Sequence, residues 1–125
     1  MKTTIHANER PMQRHRPAGR AHEFPHRPLR LHTSADAILR GMTKPVKWFG
    51  PELERFVADM VNLMHRHDGI GLSAPQVGSN LRILVADIGD GPLCLVNPWL
   101  HEIALRVRGR ETCLSLPGVE RQVKR

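Results

Sequence analysis

From Pro51 onward the apolar residues fall into a helical stripe. Leu53, Phe56, Val57, Met60 and Met64 occupy positions i, i+3, i+4, i+7 and i+11, one face of a 3.6-residue repeat. Pro51 suits the first helical position, and Glu52 and Glu54 lie in the first turn, where the positive end of the helix dipole favours them. His65, Arg66 and His67 suit the opposite end, and Gly69 supplies a stop. The period then changes. Leu81 to Ile88 is β-rich and mostly apolar, predicting a buried strand; Gly89-Asp90-Gly91-Pro92 is turn chemistry, and Leu93 to Val96 predicts a return strand that Asn97-Pro98 breaks. Ile103, Leu105 and Val107 alternate with Ala104, Arg106 and Arg108, the pattern of a strand with one wet face. Upstream, Ser34 to Arg40 reads as a turn or short helical segment and Lys44-Pro45-Val46 as an extended connector. One helix followed by antiparallel strands predicts an α+β domain over residues 29–125, without internal repeats.

Charge changes the picture only at the N-terminus. Of the net +7, residues 1–30 carry +5, from seven Lys/Arg against Glu9 and Glu23, which leaves +2 for residues 31–125. Residues 1–28 are basic and rich in His, Arg and Pro, the composition of a solvated, disordered tail. Such a tail can associate weakly with phosphate polymers, ribosomal RNA included, but nothing in it reads sequence, so a sequence-specific nucleic-acid partner is not expected. His6, His15, His22 and His26 are irregularly spaced among arginines, which repel a cation, and do not form a metal site. Two cysteines in 125 residues do not make a disulfide framework and point to a reducing compartment. No secretory h-region follows Met1 and no apolar run approaches the roughly 20 residues that span a bilayer, so no membrane partner is expected. A cytoplasmic location is expected over organellar import, because the Arg-rich tail is poor in Ser and broken by prolines.

Two short segments carry candidate chemistry. In Gly69-Ile70-Gly71-Leu72-Ser73-Ala74-Pro75-Gln76 the glycines permit close backbone approach, and Gln76 offers a neutral amide donor able to stabilise an oxyanion without titrating. Alone, the segment reads more readily as a tight helix-to-strand turn whose glycines serve only geometry. In Glu111-Thr112-Cys113-Leu114-Ser115 the cysteine is open to three readings: nucleophile, metal ligand or small buried hydrophobe.

Taken in order, the two segments resemble the G-x-G-x-(A/S)-A-x-Q and E-(G/S/T)-C-L-S motifs of peptide deformylases. Ile38-Leu39-Arg40, Pro45-Val46, the helix and Val96-Asn97-Pro98 are similar to that family too, over about residues 29–125. The resemblance implies an amide hydrolase that removes the N-formyl group from the initiator methionine of nascent chains, which brings a formyl-methionyl peptide and the ribosome into view as partners. It implies a divalent metal, typically Fe(2+) with Zn, Ni or Co as substitutes, with Cys113 as one ligand. It implies an oxyanion site of the Gln76 amide and the Leu114 backbone N–H, backbone contacts to substrate from Ile70, Gly71 and Thr112, and a structural pair between Glu111 and Arg125.

Ser73, Pro75 and Thr112 are variants that the family tolerates. The resemblance also implies two histidine ligands and a glutamate base from a His-Glu-x-x-His helix, where i, i+4 spacing puts both imidazoles on one face. No such segment occurs up to Arg125; His101-Glu102 starts like one, but Leu105 stands where the second histidine belongs, and His65 and His67 are two residues apart. The expectation is therefore a deformylase-like fold without its C-terminal metal-binding helix, poorly folded by itself and without tight metal binding or activity. The alternative is a non-catalytic remnant that binds formyl-methionyl peptides or ribosomal RNA.

Overall fold

The computed structural model describes residues 4–7, 24, 25, 27–100 and 108–124. The helix falls where the stripe places it: α1 runs Pro51–Arg66, with Pro51 in the first turn and Glu52 and Glu54 beside it. Leu53, Phe56, Val57, Met60 and Met64 are all buried, joined by Val61 and Leu63. The helix does not stop on Gly69. His67 is the C-cap, Asp68 takes the left-handed conformation at φ 54°, and the Gly69 N–H donates to the Met64 carbonyl at 3.0 Å. An Asp is among the few non-glycine residues that accept this conformation at modest cost.

Strand β1 is Thr4–Ala7; β2 (Gly71–Ser73), β3 (Ile83–Ala86) and β4 (Leu93–Val96) follow α1, and the four form one sheet in the order β1-β4-β3-β2. β2–β3 and β3–β4 are antiparallel. The register sets Ile83 opposite Val96 and Val85 opposite Cys94, and these four side chains are the buried ones. They form the face on which α1 packs, together with Leu72. Alternate residues of β3 are only half-buried, so Leu81 to Ile88 is a shorter strand with one covered face rather than a wholly buried one. Asp87 ties the end of β3 to α1: it accepts from the Gly89 N–H at 3.0 Å, and His65 Nε2 lies 3.0 Å from its second oxygen. The Gly89 N–H, with the His65 contact as a smaller cause, holds the Asp87 carboxyl below the usual carboxylate range.

Two expectations need correction at the N-terminus. Thr4–Ala7, inside the expected disordered tail, pairs in parallel with β4, so the sheet is not purely antiparallel. The packed region also begins before Leu29: the Phe24 ring lies 5.0 Å from that of Phe56, and Arg27 pairs with Asp59 of α1. His15, His22 and His26 lie outside the described residues, as does the segment Ile103–Val107 and with it the expected alternating strand and His101.

The second sheet is a hairpin of β5 (Arg108–Cys113) and β6 (Leu116–Lys124), with a register shift between Thr112 and Cys113. Its described side chains are mostly exposed, whereas α1 and the first sheet share a continuous core. The hairpin by itself has little apolar surface to bury.

Candidate active site

Both motifs are built from strand and tight turn. Gly71–Ser73 is strand β2, Ala74–Val77 is a single 3-10 turn, and Glu111–Cys113 ends strand β5. Leu114 and Ser115 make the two-residue turn into β6. Small residues at 69–74 read as turn material by composition, yet strand pairing with β3 overrides that preference.

Ser73 and Gln76 form a capping box at the start of the 3-10 turn. The Ser73 N–H donates to Gln76 Oε1 at 2.9 Å and the Ser73 hydroxyl donates to the same oxygen at 3.0 Å. A backbone N–H can meet only the oxygen of the carboxamide, so these contacts fix which way round the amide lies. Nε2 then faces the second motif, donating to Ser115 Oγ at 3.1 Å and to Cys113 Sγ at 3.6 Å. Two donors that converge on its oxygen polarise the amide and strengthen Nε2 as a donor.

Cys113 is exposed and Cys94 buried, so the reading as a small buried hydrophobe fits Cys94 and not Cys113. Cys94 is a core hydrophobe: burial pushes its thiol up to about 12. Cys113 accepts from Gln76 Nε2, which also donates to the Ser115 hydroxyl. Leu114, half-buried, lays its side chain over Gly69, where a Cβ would come within 2.6 Å of Leu114 Cδ1. The close approach that Gly69 permits thus brings the hairpin turn, and with it the Leu114 backbone, onto the first motif.

The residues expected to contact substrate lie at the start of β2 and on β5. β2 is the edge strand of its sheet among the described residues, but the Ile70 carbonyl points inward and accepts from the Asp87 N–H at 3.0 Å. Alternation along an antiparallel ladder leaves the peptide groups of Gly71 on the outer edge. Thr112 is exposed on β5 opposite Glu120. Glu111 is half-buried and stands across the ladder from Arg121, while Arg125 lies outside the described residues.

Among the described residues no group of three or more His, Cys, Asp or Glu is placed to hold a metal ion. His65 is turned to Asp87, and His32 to Asp36 and Gly78, so neither faces Cys113. One thiol beside an amide and a hydroxyl does not fit the three-ligand set that the resemblance implies. A separate groove of about 760 Å³ between residues 27–29 and α1 is lined by Arg27, Asp59, Asn62, His65 and Arg66, and contains none of the motif residues. Sequence reasoning missed two contributors to the site: the orienting role of Ser73, and a segment at His32–Asp36 that hydrogen-bonds to both motifs. A Thr33-x-x-Asp36 turn signal was available for the second.

The polypeptide deformylase family model matches residues 28–125. The chain is 38% identical over 90 residues to a peptide deformylase from Carboxydothermus hydrogenoformans, covering 72% of this chain and 59% of that protein. Its structure superposes on the crystal structure of the Thermotoga maritima peptide deformylase with a TM-score of 0.76 at 37% identity, over 80% of this chain and 69% of that one. The Synechococcus elongatus peptide deformylase, solved in complex with actinonin, gives 0.76 at 38% identity over 85% and 60%. The chain spans 59% of the length of the Carboxydothermus and Thermotoga petrophila relatives.

Proposed function

Since the chain belongs to the polypeptide deformylase family, we propose that its chemistry is hydrolytic removal of the N-formyl group from the initiator methionine of nascent polypeptides, and that these residues make one half of that site. The observation that carries this reading is the Gln76 carboxamide, locked by Ser73 so that Nε2 points at Cys113. Attack on a formyl carbon places negative charge on its oxygen. Gln76 Nε2–H and the Leu114 N–H would meet that charge with fixed dipoles, which cost no reorganisation as the charge develops. The outward peptide groups of Gly71 would align an extended methionyl peptide as an added strand.

Cys113 would contribute one ligand to a divalent metal, Fe(2+) or its substitutes Zn, Ni and Co. The described residues supply neither the other ligands nor a base, so this chain alone is proposed not to bind the metal tightly and not to turn over. A cytoplasmic site of action on chains emerging from the ribosome is part of the same proposal; no helix among the described residues is long and apolar enough to cross a membrane. The open edge of β2 favours a second reading, capture of formyl-methionyl peptides without hydrolysis.

The test joins residues 28–125 to the remaining length of the Carboxydothermus relative and assays formyl-Met-Ala-Ser beside the unmodified chain. The joined protein should bind one metal ion and deformylate, and the unmodified chain should do neither. Inactivity of a folded joined protein that holds its metal would sink the hydrolytic reading. Saturable binding of the peptide by the unmodified chain would favour the second reading.

A further inference from the structure

We propose that residues 31–36 are a positioning strap for the Gln76 amide, with Asp36 as its latch. The proposal deepens the reading above and rests on it for its functional meaning. The two motifs come from different sheets, so their spacing must be set by something other than one hydrogen-bond ladder. The strap reaches both. The His32 N–H donates to the Gln76 backbone carbonyl at 2.8 Å, and two residues on the Ser34 N–H donates to the Ser115 backbone carbonyl at 3.0 Å. Gln76 and Ser115 are also the residues joined side chain to side chain at 3.1 Å. Backbone and side-chain bonds therefore close a ring around the site.

The strap belongs to no strand, and local contacts hold its shape. Asp36 Oδ2 accepts from the Thr33 N–H at 2.8 Å and lies 3.4 Å from His32 Nδ1, while the Asp36 N–H donates to the Thr33 carbonyl at 2.9 Å. One carboxylate thus contacts both His32, whose N–H reaches Gln76, and Thr33, the residue that follows it. The His32 ring lies on Gly78, the residue that ends the 3-10 turn. Gly78 has φ +86°, and a Cβ there would stand 2.8 Å from His32 Nε2. The turn bearing Gln76 is consequently held at its start by Ser73, at its Gln76 carbonyl by the strap backbone, and at its end by the His32 ring. A displacement of about 1 Å in a positioning group is enough to cost on the order of a hundredfold in rate. Asp36 touches no reacting atom and is a positioning residue.

The test is hydrogen exchange and side-chain amide NMR on the 15N-labelled chain. In the wild-type chain the His32 and Ser34 amides should both be protected. Asp36→Ala should speed their exchange about tenfold, the scale of one hydrogen bond, and shift the Gln76 side-chain resonances, while the Met60 and Met64 amides of α1 keep their protection. Asp36→Asn keeps an acceptor oxygen and should restore both readouts. Unprotected His32 or Ser34 amides in the wild-type chain would overturn the strap. So would an Asp36→Ala variant that matches wild type, that speeds Met60 and Met64 by the same factor, or that fails to fold. An Asn variant behaving like the Ala variant would remove Asp36 as the latch. None of these readouts depends on deformylation, so failure of the strap and failure of the hydrolytic reading give different results.

Discussion

The carboxamide of Gln76 bridges Ser73 and Cys113, with Oε1 2.9 Å from the Ser73 nitrogen and Nε2 3.6 Å from the Cys113 sulfur. This single side chain converts two segments that are unrelated in the chain into one surface, and its donor end faces the only exposed thiol.

Gln76→Ala deletes that donor. In the protein completed with the remaining length of a relative, turnover should fall by about 10²–10³-fold, the scale of one lost oxyanion donor, with metal content unchanged. Cys113→Ala in the same protein should lose the metal. Steady-state kinetics with metal analysis separates the two, and a Gln76→Ala protein at wild-type turnover would remove the oxyanion role.

Gly69→Ala should destabilise the chain by about 1–3 kcal/mol, because the new Cβ would meet Leu114 Cδ1 at 2.6 Å and Met64 Cγ at 3.3 Å. The offending atom is the end of a movable side chain, so the double variant Gly69→Ala, Leu114→Ala should be less destabilised than the sum of the singles. Denaturant titration of the four proteins measures the coupling. Strict additivity would mean that Leu114 does not sit over Gly69.

The stripe of α1 was legible because a helix packed on one sheet face displays its period directly, and β4 because its bounding turn residues leave little room for error. The site was legible as two motifs and not as an arrangement. Gln76 could be named a donor, but its orientation depends on Ser73; the Ser73-x-x-Gln76 spacing is a capping-box signal that was present in the sequence and passed over. His32 and Asp36 were invisible as partners of Gln76 because their link to it runs through backbone N–H groups, which no side-chain pattern records. That the Ile70 carbonyl turns inward while the peptide groups of Gly71 face the edge follows from the alternation of the ladder, and the register cannot be read from the motif.

Asn97 sits at φ 55° at the end of β4, and its side chain pairs with the backbone of Val46: the Val46 N–H donates to Oδ1 at 2.7 Å and Nδ2 donates to the Val46 carbonyl at 3.0 Å. Asn97→Ala should lose both bonds and place a residue less tolerant of positive φ there, for a combined cost of about 2–3 kcal/mol. Asn97→Gly should recover only the backbone part. Equal thermal midpoints for wild type and Asn97→Ala would contradict the clamp.

Cys94 makes stability sensitive to alkali. Burial keeps its thiol protonated up to about 12, against 9.0 for an ordinary thiol. Between these values the unfolded chain has released a proton that the folded chain retains, so the unfolded state binds fewer protons and stability falls as pH rises, by up to ~1.4 kcal/mol per unit. Below pH 9 the contribution is flat. Cys94→Ala should be less stable at neutral pH, by ~1 kcal/mol for the small cavity left, yet should lose less on going from neutral pH to pH 10.5. The same contrast appears in labelling: at neutral pH iodoacetamide should modify exposed Cys113 in the folded chain and reach Cys94 only in denaturant. Equal alkaline losses in the two proteins, or equal labelling of the two thiols in the folded chain, would show that Cys94 is not sealed in the core.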